Sequence, residues 1–140
     1  VITAADTNVL SDVFRKDLAH YEASSSAVRK CLQQGALIAC DAVWAETIAA
    51  FASWEEATNA LNQLPVKFMT TSEAACANAG QAWRKYRRAG GPRTRIISDF
   101  LVGAHALETA DRLLTRDRGF YRTYFKDLKL FDPSGPNSHN

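Results

Sequence analysis

Residues 95–117 read RIISDFLVGAHALETADRLLTRD. From Phe100 to Ala110 the apolar side chains recur at helical spacing, and DRLLT at 111–115 is an apolar run of strand length. Asp99 stands at the mouth of the helix, with Ser98 beside it, and Asp117 stands just past the strand. A helix feeding a short buried strand is half of a parallel βαβ unit, so this stretch predicts an α/β fold. Aspartates at such junctions commonly cap helices, because the carboxylate accepts orphan backbone N–H groups. Whether these two do more depends on where the other acids fall.

Working outward, the same alternation fills the chain. VITAA (1–5) reads as a buried strand that stops at Asp6, and TNVLSDVF continues with helical spacing of Val9, Leu10 and Phe14. SSSAVRKCLQQG (24–35) predicts a serine-capped helix stopped by Gly35, followed by the strand ALIAC. AVWAETIAAFAS (42–53) is apolar nearly all the way round and predicts a mostly buried helix. EEATNALNQL is a further helix, Pro65 breaks it, and VKFMT is a third strand. TSEAACANAGQAWRKYRRAG is a long helix ending at Gly90 and Gly91. RGFYRTYF is a short turn or helix, and LKLF a candidate fifth strand. The expected architecture is three-layer α/β/α around a central parallel sheet of four or five strands. It makes one domain over 1–132 with a flexible C-terminal tail at 133–140.

Composition narrows the classes. The chain has 140 residues, 46% of them hydrophobic, and no run approaches the roughly 18 apolar residues a membrane-spanning helix needs. VITAAD carries neither a basic leader nor a Met, so upstream residues are expected to be missing. Cys31, Cys40 and Cys76 are odd in number, widely spaced and set among apolar residues, as reduced core thiols are, and the expected address is cytoplasmic. The net charge of +2 names no partner, but its distribution is uneven. WRKYRRAGGPRTR (83–95) gathers Arg84, Lys85, Arg87, Arg88, Arg93 and Arg95, with Trp83 and Tyr86 between them. Such a patch suits a phosphate backbone, although cations also collect at helix C-termini for the sake of the dipole.

In a parallel sheet, ligands bind outside the carboxyl ends of the strands. Asp6 follows the first strand, Asp117 the fourth, Asp99 opens the helix feeding the fourth, and Glu46 lies in the helix after the second. Glu46 shares its helical face with Ala42, Val43, Ala49 and Ala50, and a buried acid must be paired, protonated or bound to metal. Near Asp99 the small residues Val102, Gly103 and Ala106 leave room for a ligand or another backbone. Converging carboxylates repel unless a cation neutralises them, and oxygen donors without a His or Cys partner select Mg²⁺ or Mn²⁺. A cation so held activates water for hydrolysis of a phosphodiester, and the basic patch then serves a polyanionic substrate. Arg93, Arg95 and Arg88 are the candidate phosphate contacts. His20, His105 and His139 share no metal-ligand spacing, so a histidine general base is not expected.

ADTNVLSDVF, AVWAETIAAF and SDFLVGAHALETADRLLTRDRGF resemble, in order, the acidic motifs of PIN-domain ribonucleases, above all the VapC-type toxins of toxin–antitoxin pairs. Asp6, Glu46, Asp99 and Asp117 match the family's acidic quartet. Thr7 or Asn8, and Thr115, match the polar residues that buttress it. The resemblance implies an Mg²⁺- or Mn²⁺-dependent endoribonuclease, a homodimer, and inhibition by a cognate antitoxin that inserts a segment into the acidic groove. Gly119 stands where many relatives carry another acid, which leaves one metal ion or two open. A haloacid-dehalogenase-type phosphatase would need an aspartate at Asn8, and a receiver domain would need one at Thr70 or Thr71. The remaining alternative is a PIN-like module that binds nucleic acid or protein without cleaving.

Overall fold

The apolar runs between the junction acids form five strands: β1 (Ile2–Ala5), β2 (Ala36–Ala39), β3 (Lys67–Phe68), β4 (Arg112–Leu114) and β5 (Leu130–Phe131). Seven helices connect them: α1 (Thr7–Arg15), α2 (Tyr21–Gln34), α3 (Asp41–Ala49), α4 (Trp54–Gln63), α5 (Glu73–Arg88), α6 (Ile97–Thr109) and α7 (Arg118–Tyr124). This computed structural model describes residues 1–134; of the tail expected at 133–140, the part from 135 onward lies outside the described residues.

All strand pairs are parallel, in the order β3-β2-β1-β4-β5. The path runs outward from β1 to β2 and β3, then returns across the sheet to β4 and β5. Right-handed crossovers therefore place α1 to α4 on one face and α5 to α7 on the other, which gives the three layers. The reversal also makes a switch point, because β1 and β4 are neighbours whose connections leave in opposite directions. Ala4, Ala5, Leu37, Ile38, Ala39, Leu113 and Leu114 are all buried, as strands covered on both faces require.

Several boundaries differ from the sequence reading, each for a local reason. α2 starts at Tyr21, because Asp17 accepts the N–H groups of Ala19 (2.9 Å) and His20 (3.1 Å); Ser24 is inside the helix and caps nothing. α3 stops at Ala49, and Ser53 caps α4 by accepting from Glu56 N–H at 3.2 Å. α3 buries only Val43 and Thr47, so the expected all-round burial does not occur and Glu46 is exposed. β3 is reduced to Lys67–Phe68, both exposed, as befits an edge strand with one neighbour. Cys31 and Cys40 are buried free thiols, but Cys76 is exposed on α5.

An aromatic cluster holds α6 against α7. Phe100 meets Phe120 edge-on at 5.1 Å, Phe120 meets Tyr121 at 4.9 Å, and Tyr86 from α5 packs on Phe100 at 5.5 Å. Gly103 belongs to this cluster rather than to a ligand: a Cβ there would lie 2.5 Å from the Phe125 ring. We predict that Gly103→Ala lowers the unfolding free energy by roughly 1–3 kcal/mol. A Cβ at Gly119, within α7, would meet nothing within 4 Å, so Gly119→Ala should raise it by roughly 0.5–1 kcal/mol through helix propensity. Denaturant titration of the two variants checks both signs, and a neutral Gly103→Ala would mean that the Phe125 contact is loose.

Candidate active site

Asp6 is placed by the sheet. Its N–H continues the β1–β4 ladder to the Leu114 carbonyl at 2.9 Å, and its carboxylate caps α1 by accepting from Thr7 N–H at 2.8 Å. The ordinary role of a junction aspartate is therefore filled, yet the capping bond engages Oδ1 alone. Oδ2 accepts from Thr115 Oγ1 at 2.8 Å and from Tyr121 Oη at 3.2 Å, with Asn8 Nδ2 at 3.5 Å. Thr115, next after β4, is fully buried, and Tyr121 lies on α7.

The other acids surround this centre at different depths. Asp99 lies in the first turn of α6, not at its cap, and accepts the Ile96 N–H at 3.0 Å. That bond to a helix-entry N–H explains why the helix opens at Ile97, ahead of Ser98 and Asp99. Asp117 begins α7, its N–H donating to Thr115 Oγ1 at 3.0 Å. Its carboxylate makes no capping bond; both oxygens take the Arg95 guanidinium, Nη2 to Oδ1 at 3.1 Å and Nη1 to Oδ2. Glu46 stands at the exposed rim and accepts from Thr7 Oγ1 at 2.9 Å. Thr7 thus joins two carboxylates, through its N–H to Asp6 and through its hydroxyl to Glu46.

Burial is the largest influence on Asp6, lifting its pKa from an ordinary 3.8 to about 6 against the hydrogen bonds of Thr115, Thr7 and Tyr121, with Asp99 repelling in addition. Burial likewise drives the Tyr121 hydroxyl far up, and the charges of Asp6, Asp99 and Asp117 push in the same direction. Tyr121 is therefore a permanent donor.

Carboxylate and hydroxyl oxygens are the donors that hard cations take, so the chemistry fits Mg²⁺ or Mn²⁺. Asp6, Asp99, Asp117 and Glu46 are the groups that would hold such an ion. Among the described residues, however, no three acidic, histidine or cysteine side chains close into a metal cage. Each of the outer acids has another partner: Arg95 holds Asp117, Thr7 donates to Glu46, and the Ile96 N–H donates to Asp99.

Two residues unmarked in the sequence reading, Tyr121 and Asp12, support the site. Tyr121 falls in a segment read there only as a turn or helix, although its place four residues after Asp117 on a helix is a usable signal. Asp12 is buried on α1 and accepts from Ser24 Oγ at 2.7 Å and from Arg116 Nε at 2.7 Å and Nη2 at 3.0 Å. This network clamps the loop carrying Thr115 and Asp117, and an acid inside the apolar stripe of α1 was its trace. His105 is buried on α6 beside Thr109, where burial lowers its pKa and the nearby charges are Asp41 and Glu108. It is outside the acidic site. Arg88 ends α5 and Arg93 lies in the loop before α6, both exposed; among the described residues neither makes an ion pair.

The fold and site together define an α/β protein with an acidic centre at the switch point of a parallel sheet. The family model of the PIN domain matches residues 4–126, and the chain belongs to that family. No curated protein matches the chain significantly. Among solved structures, it is similar to a chain of VapBC-1 from nontypeable Haemophilus influenzae, with a TM-score of 0.74 at 20% identity, covering 96% of this chain and 100% of that one. A chain of VapBC2 from Rickettsia felis, bound to a promoter DNA fragment, gives 0.72 at 17% identity over 94% and 98%. A toxin–antitoxin complex from Klebsiella pneumoniae gives 0.66 at 16% identity over 94% and 97%. At these identities the likeness is one of fold.

The Asp6 geometry makes a pH prediction. A carboxyl whose pKa is raised on folding binds more protons in the native than in the unfolded state between about 4 and 6, so its contribution to stability falls as pH rises through that window. A rise from 3.8 to about 6 corresponds to about 3 kcal/mol. Asp6→Asn removes this titration. Between pH 4 and pH 7 the variant should therefore gain stability relative to the metal-free wild type, by an amount approaching that figure. Parallel urea titrations at the two pH values measure the gap, and a gap independent of pH would show that Asp6 is not desolvated.

Proposed function

We propose that the chain is a metal-dependent endoribonuclease, the VapC-type toxin of a toxin–antitoxin pair. The observation that carries this reading is the buried Asp6 at the switch point, held by donors from α1, the end of β4 and α7 and reached by the charge of Asp99. A fold alone would not require that arrangement, because burying a carboxylate among other carboxylates is costly unless a cation is its working partner. A bound Mg²⁺ or Mn²⁺ would supply charge neutralisation at a phosphoryl oxygen and a more acidic water.

The chain's own residues do the rest. Tyr121 and Thr115 fix the Oδ2 atom of Asp6, Thr115 also sets Asp117 through its backbone, and Thr7 sets Glu46. Arg88 and Arg93 are exposed and, among the described residues, outside any ion pair; in this reading they take phosphates of an RNA strand. Arg95 lines a cavity of about 420 Å³ with Trp83, Tyr86, Arg87, Pro92 and Arg93. No helix among the described residues is long and apolar enough to cross a membrane. The partners proposed are RNA, an antitoxin that covers the acidic site, and a second copy of the chain, all in the cytoplasm. The antitoxin is supported by the complexes in which similar folds occur. A non-catalytic binding module is the competing reading, favoured by the ion pair that already engages Asp117.

Antitoxin-free protein incubated with total cellular RNA and Mn²⁺ should produce discrete new 5′-phosphate ends. Chelator should abolish them, and Asp99→Asn should slow their appearance by roughly two to four orders of magnitude, the scale on which a positioned catalytic group acts. Ends that persist in both controls would assign the cleavage to a contaminant. RNA retained without cleavage, unaffected by metal, would favour the binding module.

A further inference from the structure

Arg95 is the cation that the structure places in the acidic site. Its guanidinium binds both oxygens of Asp117 and lies 4.4 Å from the Phe120 ring centre, and the charges of Asp117 and Asp99 both act on it. A fork held on a carboxylate and stacked on an aromatic face is pre-organised rather than a chance surface pair. It comes from the loop between α5 and α6, on the side opposite the Asp12–Arg116 clamp that holds the backbone of Asp117. Asp117 therefore has a fixed backbone and a carboxylate with both oxygens committed.

We propose that Arg95 is a built-in counter-ion of the acidic site, which a divalent cation must displace from Asp117 in order to bind with that residue as a ligand. The inference rests on reading the four acids as a cation site, and it goes beyond that reading by assigning Arg95 control of the cation's affinity. The geometry carries it. Each Asp117 oxygen already has a donor, the charge of Asp99 reaches Asp6, and among the described residues no three acidic, histidine or cysteine side chains form a metal cage. A bidentate guanidinium and a chelated divalent ion compete for the same facing edge of the carboxylate, and their like charges repel at that distance. The displaced guanidinium would be left on the wall of the cavity it shares with Arg93 and Trp83.

The test is titration of the full chain with Mn²⁺ alone, by calorimetry and without RNA. Arg95→Gln keeps the stem and a planar head over Phe120 but removes the charge, and should bind Mn²⁺ about tenfold more tightly than the wild type, the equivalent of about 1.4 kcal/mol. Arg122→Gln makes the same change in net charge at an exposed position of α7 and should shift affinity by less than about twofold. In a parallel Mg²⁺ titration of the wild type, the Arg95 guanidinium resonances should move as the site fills. Equal affinity of Arg95→Gln and wild type, an equal gain in Arg122→Gln, or guanidinium resonances unmoved at saturation would each overturn the proposal. With wild-type binding lost in Asp99→Asn, those results leave the metal-site reading standing. Failure of every variant to bind Mn²⁺, with native thermal melts, would overturn both.

Discussion

Everything at the functional edge of this protein depends on the burial of one carboxylate. Asp6 sits where β1 and β4 part, with its N–H still in the ladder and its side chain carried below the surface. A buried carboxylate needs donors, and the fold supplies them from α1, from the end of β4 and from α7. Those three donors in turn fix Thr7, Thr115 and Tyr121, and through them Glu46 and Asp117. The site is a consequence of satisfying Asp6.

Two structures hold those donors in place. The aromatic cluster of Phe100, Phe120, Tyr121 and Phe125 locks α6 to α7, so that Asp99 and Asp117, which flank it in sequence, keep a common orientation. On the other side, Asp12 grips Arg116 while Asp132 grips Arg118 at 2.7 Å, so the residues on either side of Asp117 are both tethered. Alternation along Thr115-Arg116-Asp117-Arg118 sends two side chains to the site and two to anchors. A loop built in this way keeps its shape when the charge between the acids changes.

The four acids are not equivalent. Asp6 is buried, Asp99 accepts a backbone N–H, Asp117 is engaged by an arginine of the same chain, and Glu46 is exposed at the rim. The sequence argument for Glu46 treated its small-residue face as buried. α3 instead turns Val43 and Thr47 inward, because the helix covers the sheet with one narrow stripe and leaves the Glu46 side to solvent. Glu46 is linked to Asp6 through Thr7, a contact that helical periodicity cannot reveal.

What the sequence determined by itself was the parallel α/β alternation and the place of Asp6, Asp99 and Asp117 near its junctions. Strand length, helical spacing and capping chemistry are local, and local patterns survive in a single chain. Its family motifs were legible for the same reason, since Asp6, Asp99 and Asp117 each sit at a fixed offset from an apolar run. The tertiary structure alone decided depth and partnership. Tyr121 reaches Asp6 across 115 positions and Arg95 reaches Asp117 across 22, and neither pairing has a local signature. Whether a carboxylate is neutral, bound to a backbone N–H or held by a guanidinium depends on which groups packing brings within about 3 Å, and no spacing along the chain encodes that.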